Sequence, residues 1–307
     1  MAHLITTLGP MRRDELGMIL PHEHVFVDLR TWDQPGYGEA EAEDVVRLMG
    51  PEVARARDVG VTAIVEPSTV GVGRRADILR AFSEATGFPL VAPTGVYREP
   101  WMPPWVHGAA DGELRDWMVG ELTGEIEQSG VQAGWIKVGA SDDGLTECET
   151  KVLRAAGAAS AATGATVGSH TIRGRVARAQ LDVLEVAGTA PGRFVWVHAH
   201  QEPDVAMHHE LARRGAWIEY DGIGDPGSDE RFIDLVLRAL NAGLGNRLLL
   251  SHDRGWYDPA QPGGGTPRPF TYLSEHFLPL LRAAGVDDVT IRQVTVDNPF
   301  DAFARAA

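Results

Sequence analysis

Met18-Ile19-Leu20-Pro21-His22-Glu23-His24-Val25 is the stretch on which the reading of this chain turns. The short apolar run reads as a buried strand, and two histidines stand one residue apart at its carboxyl end. In extended backbone, residues i and i+2 share a face. His22 and His24 can therefore aim two imidazoles at one point, as a divalent metal requires. A lone His-x-His is common by chance, so its weight depends on whether other strands end in donors at the same level.

The pattern recurs along the whole chain. Apolar runs at 61–65, 89–93, 134–138, 165–168, 194–197, 216–220 and 247–250 read as further strands. Between and after them the periodicity predicts helices over 41–60, 74–87, 113–128, 147–163, 175–187, 204–214, 229–242, 272–284 and 288–306. Strands alternating with helices imply a parallel sheet buried on both faces. Eight such units in one domain spanning 1–307 predict a closed (β/α)8 TIM barrel. An open doubly wound sheet is the rival. Its nucleotide-binding form loses support, because the first strand is followed by no Gly-x-Gly-x-x-Gly and no Gly-x-x-x-x-Gly-Lys occurs. The stretch 252–269 carries four prolines and is too rich in proline and glycine for a helix. It follows the last strand, where barrel enzymes build specificity.

Composition narrows the function classes. The 307 residues are 44% hydrophobic and 23% charged, ordinary for a soluble globular protein. A net charge of −15 argues against nucleic acid or an anionic membrane as partner, since both need basic surfaces. Cys148 is the lone cysteine, so no intrachain disulfide can form, which fits a reducing cytoplasm. The start reads as no secretory signal, and no apolar run approaches the roughly 20 residues of a membrane span. The expectation is a soluble cytoplasmic protein acting on a small molecule.

Taking strand ends alone gives a consistent donor set. The first strand offers His22 and His24, the fourth Lys137, the fifth His170, the sixth His198 and the eighth Asp253. All fall at the end of the barrel where active sites sit, and imidazole plus carboxylate suits zinc and its neighbours. Lys137 admits three readings. It pairs with Glu66 or Glu219 or reaches the rim, it forms a Schiff base, or it is carbamylated by carbon dioxide into an anionic ligand that bridges two metals.

These motifs resemble the phosphotriesterase-related family of the amidohydrolase superfamily, nearly end to end. The matching stretches are Leu16-Gly17 leading into Pro21-His22-Glu23-His24, Ile136-Lys137-Val138, Ser169-His170-Thr171, Val197-His198-Ala199 and Ser251-His252-Asp253. The resemblance implies a binuclear metal centre on a (β/α)8 barrel. His22, His24 and Asp253 would hold the buried ion, and His170 and His198 the more exposed one. An N6-carboxylated Lys137 would bridge both. Zinc is the first expectation for the two divalent ions, with manganese, cobalt or iron as alternatives. By the same resemblance the chain forms a homodimer, and Tyr97 stands where lactone-hydrolysing relatives place a tyrosine.

The chemistry follows from such a centre. A hydroxide bridging two dications is nucleophilic at neutral pH, and Asp253 can carry its proton to the leaving group. The expectation is a lactonase or related carboxylic ester hydrolase with phosphotriester hydrolysis as a side reaction. The alternatives are an amidase on small N-acyl compounds, or an organophosphate triester hydrolase proper. A non-catalytic binder on the same barrel is the rival outside enzymes. Around the centre, Trp101, Trp105 and Trp256 are expected as pocket walls. His252 is expected to orient Asp253, His200 to stand at the rim, and His208 and His209 to be solvated. One departure stands out. Asp221 is followed by Gly222, where acyl-homoserine-lactone hydrolases carry an arginine, which argues against that substrate.

Overall fold

Apolar runs of a few residues, each followed by an amphipathic segment, bury both faces only in a sheet flanked by helices. The computed structural model, which describes residues 2–306, has that arrangement as a (β/α)8 barrel. Its strands in chain order are Met18–Leu20, Val61–Val65, Leu90–Val91 continued by Pro93–Thr94, Trp135–Gly139, Val167–His170, Phe194–Val197, Trp217–Tyr220 and Leu248–Leu250. Each pairs in parallel with the next: Leu20 with Ile64, Val65 with Val91, Thr94 with Ile136, Lys137 with Gly168, Val195 with Gly168, Trp196 with Ile218, and Tyr220 with Leu250.

The seam between the eighth strand and the first is built differently. Ser251 Oγ receives the His22 N–H at 3.0 Å, and the Asp253 N–H donates to the His22 carbonyl at 3.2 Å. The His24 N–H then donates to the Arg254 carbonyl at 2.8 Å. Past this point Gly255–Tyr257 runs parallel to His24–Phe26. The proline- and glycine-rich stretch 252–269, expected as a loop, contains this short strand. Its pairing partner lies more than two hundred residues away, so no local pattern marks it.

Two apolar layers result from the strand alternation. Ile19, Ala63, Val65, Val91, Trp135, Val195, Val197, Trp217 and Leu249 form one cluster within the barrel, joined from below by Leu4, Phe300 and Phe303. The alternate residues, such as Leu20, Ile64, Leu90, Ile136, Val167, Trp196, Ile218 and Leu250, pack under the helices. The lower end is covered by an antiparallel sheet of Gly9–Met11, Ala2–Thr6 and Arg305–Ala306, which the sequence reading missed.

Helix bounds follow their capping chemistry. Glu147–Thr163 opens on Thr146, whose Oγ1 accepts the Glu149 N–H at 3.1 Å while the Glu149 carboxylate accepts the Thr146 N–H at 3.0 Å. It closes at Gly164 with φ +71°. The helix expected over 113–128 is Asp111–Thr123 instead. Glu127 and Gln128 both take positive φ (+48° and +61°), which no helix interior tolerates. No helix is long and apolar enough to cross a membrane among the described residues.

Candidate metal centre

Alternation along the fourth strand sends Trp135 into the barrel, Ile136 under the helices and Lys137 back inside. Lys137 thus stands above Trp135, its Nζ 5.6 Å from the indole centre, and is buried. On the sixth strand Val195 and Val197 face inward, so unbroken alternation would turn His198 outward. It does not, because His198 adopts φ +63°. Asp253 is also left-handed, at φ +55°. Non-glycine residues hold such backbone only where surrounding contacts impose it, and they cluster at functional sites.

The imidazoles are oriented by their second nitrogens. Ser68 Oγ donates to the Phe26 carbonyl, so it accepts from the His24 Nδ1–H at 2.7 Å. His22 Nδ1 lies 2.7 Å from Glu219 Oε1, and His198 Nδ1 lies 2.9 Å from Asp221 Oδ1. Each ring is therefore fixed with Nδ1 occupied and Nε2 facing the site, the orientation a metal ligand needs. Asp253 Oδ1 sits 3.2 Å from His24 Nε2 and 3.7 Å from His22 Nε2. It is buried with no hydrogen-bond partner. Ligand atoms of His22, His198 and Asp253 lie within 4.8 Å of one another. The rings of His170 and His198 are 4.4 Å apart at their centres, and those of His22 and His198 5.1 Å. An orphaned carboxylate oxygen among imidazoles that turn Nε2 toward it fits a bound cation.

Electrostatics point the same way. Burial pushes His22 and His170 well below the usual imidazole value, with nearby Lys137 adding to the effect, so both stay neutral. For His24 burial opposes charge, but Asp253 and Glu66 outweigh it and raise the group to about 9. A proton and a metal ion compete for that Nε2, so the acidic surroundings favour either cation. Burial alone would raise Asp253; His24 and His22 reverse the sign and hold it ionised. Burial lowers Lys137 against the pull of Glu219, Asp253 and Asp221, which favours the neutral amine that carbamylation consumes. Of its expected partners, Glu219 serves His22, while Glu66 accepts the N–H groups of Val25 and Ser68.

Around these groups lies a cavity of about 110 Å³, walled by Tyr97, Leu29, Val72 and Trp256 as well as the donors. Tyr97 stands with its ring centre 5.1 Å from that of His170, and burial pushes its phenol up to about 12. Trp256 meets His24 edge-on at 5.6 Å. Trp101 packs behind Tyr97 at 5.5 Å, while Trp105 pairs with Trp117 and lines no part of the cavity.

Three histidine expectations are corrected. His200 is buried, with Nδ1 3.1 Å from Asp221 Oδ1, because Gly222 leaves room: a Cβ there would meet His200 Nε2 at 2.6 Å. His208 is buried, its Nδ1 3.0 Å from the Tyr220 hydroxyl and its Nε2 3.1 Å from the Glu202 carbonyl. His252 turns away from Asp253: its Nε2 accepts the Leu273 N–H at 2.7 Å and its Nδ1–H donates to Glu23 at 2.6 Å. Sequence alone gives no role to Glu23 and Ser68, and none as a histidine partner to Asp221, because each bonds to the end of a neighbouring strand that is distant in sequence.

Comparison with known proteins completes the picture. The family model described as the phosphotriesterase family matches residues 2–303. The chain belongs to the phosphotriesterase family. This family is hydrolytic and metal-dependent. A phosphotriesterase homology protein of Mycobacterium tuberculosis is 29% identical, covering 99% of this chain and 98% of its own. An aryldialkylphosphatase of Saccharolobus solfataricus is 27% identical over 93% and 94%. An N-acetyltaurine hydrolase of Xenopus tropicalis is 23% identical over 96% and 95%. The relatives of this phosphotriesterase-family protein thus carry names for both phosphoester and amide cleavage, on chains of matching extent.

Proposed function

We propose that this family member is a metal-dependent hydrolase with a binuclear centre held by His22, His24, His170, His198, Asp253 and a carboxylated Lys137. The observation that carries the reading is the set of imidazoles anchored through Nδ1, with Nε2 facing a buried Asp253 oxygen that has no hydrogen-bond partner. When bound, two divalent ions, zinc foremost, supply a nucleophile from water at neutral pH and polarise the scissile group. Asp253, held ionised by its histidines, takes the proton of the attacking water and delivers it to the leaving group. Tyr97 remains protonated and donates a hydrogen bond to the substrate.

The bond cleaved is first that of a lactone or other carboxylic ester, with phosphotriesters as a side activity. Both reactions develop oxyanion charge at the same place, so one centre serves both. An amide is the second reading, favoured by the relative named for N-acetyltaurine. A cytoplasmic homodimer is part of the proposal, resting on the lone Cys148 and on family resemblance. The deciding experiment is a hydrolysis screen of lactones, phosphotriesters and N-acyl amines, run with elemental analysis. The expected result is about two divalent ions per chain and turnover of an acyl class. Full activity in metal-free, chelator-treated protein would overturn the reading.

A further inference from the structure

Arg98 follows Tyr97 on the loop after the third strand, and its charge has no acidic partner. Arg74 and Arg30 are matched, by Glu121 at 2.6 Å and Asp28 at 2.7 Å, while Arg193, Arg268 and Arg305, which likewise lack an acidic partner, give their N–H groups to backbone carbonyls. Among the described residues Arg98 forms no ion pair, and its Nε is buried without a hydrogen-bond partner. The position is built rather than incidental. The guanidinium carbon lies 4.8 Å from the Trp101 ring centre and 5.8 Å from that of Tyr97, so two aromatic rings flank the charge. Trp101 is itself anchored by its indole N–H on the Leu29 carbonyl at 2.8 Å. Gly139 lets this turn approach the fourth strand, since a Cβ there would lie 3.1 Å from the Arg98 amide and 3.2 Å from the Tyr97 ring.

A buried donor left unpaired costs stability, and a stacked, pre-oriented guanidinium is the group best shaped for a planar or tetrahedral anion. Its neighbour Tyr97 faces His170 across the cavity wall. We infer that Arg98, with the Tyr97 hydroxyl, binds an anionic group of the substrate, which is an acyl compound bearing a sulfonate or carboxylate near its scissile bond. Naming that ligand a substrate rests on the hydrolase reading above; the anion site does not.

The test is calorimetric titration of the metal-loaded protein with ethanesulfonate and propionate, against uncharged ethyl methyl sulfone and propionamide. The wild type should bind an anion and not its neutral counterpart, less tightly as salt is raised. The tighter of the two anions identifies the class. Arg98→Met should weaken anion binding at least about tenfold, at unchanged metal content and Tm, because a charge-assisted pair contributes about 1.5–3 kcal/mol. Arg98→Lys should recover part of it. With N-acetyltaurine and N-ethylacetamide as paired substrates, Arg98→Met should raise KM for the charged one alone. Equal affinity of wild type and Arg98→Met, or neutral compounds bound as tightly as anions, would overturn the inference. If Arg98→Met does not fold, the wild-type comparison decides alone. Anion binding without turnover of any acyl compound would leave the site standing and refute the acyl-hydrolase reading.

Discussion

Lys137 is the residue whose chemistry is least ordinary. A buried cation is costly to desolvate, and here burial drives the group toward its neutral form against the pull of Glu219, Asp253 and Asp221. On the proposed reading, carbamylation would turn that cost into an anionic ligand. Lys137→Ala should therefore lose activity at least about 100-fold, more than removal of a supporting partner costs, and short carboxylic acids with added metal should partly restore it. Full activity in Lys137→Ala would exclude the bridging role. Asp253→Asn keeps a ligand oxygen but cannot carry a proton. Turnover should fall by about 10² to 10⁴ at constant metal content; wild-type turnover with metal bound would rule out the proton transfer. Residue type and strand-end position are enough to nominate the six proposed donors, and the fold brings His22, His198 and Asp253 within 4.8 Å of one another. What was not legible is how His198 and Asp253 reach inward. Alternation alone misplaces His198, and positive φ is a property of the folded surroundings rather than of histidine.

The helix Val205–Arg214 and the strand Trp217–Tyr220 show the limit of periodicity. His208 lies among polar neighbours in sequence and reads as solvated, yet it packs edge-on against Trp196 at 5.3 Å. The Glu202 carbonyl fixes the proton on Nε2, leaving Nδ1 to accept from the Tyr220 hydroxyl. Protonating Nδ1 would break that bond, and burial lowers the group to about 4. A histidine depressed in the folded state is protonated first in the unfolded chain. Its stabilisation is complete above the ordinary 6.5 and drains away as pH falls toward 4, at about 1.4 kcal/mol per pH unit and about 3 kcal/mol in all. Urea unfolding near pH 7 and near pH 4.5 should show His208→Gln losing less stability than the wild type by about 2.5 kcal/mol. Parallel loss in both proteins would mean that His208 does not set the acid limb. Strand and helix order, by contrast, follow directly from sequence, because buried parallel strands announce themselves as unbroken apolar runs.

At the scale of the whole barrel, the joint between the last strand and the first carries both closure and chemistry. Residues 22 and 251 are 229 positions apart, so spacing along the chain gives no hint of their pairing. Glu23 holds this joint. Fully buried, it accepts the Ser251 hydroxyl at 2.8 Å, the His252 amide at 2.9 Å, the His252 Nδ1–H at 2.6 Å and the Arg254 amide at 2.8 Å. Arg268 adds a bond from its Nη2 to the Asp253 carbonyl at 2.8 Å, closing the loop back on the strand end. His22 and His24 flank Glu23, and Asp253 lies within the segment it grips. Glu23→Gln keeps the shape but replaces one acceptor oxygen with an NH2 group facing donors. The buried mismatch should cost about 2–4 kcal/mol in urea unfolding. Because the same bonds set the separation of His22 and His24 from Asp253, metal affinity should fall with it, by about tenfold or more, in a titration with a competing chelator. A surface or merely packing role would lower stability and leave metal affinity alone. Wild-type values for both would instead assign closure to the pairing of Gly255–Tyr257 with His24–Phe26.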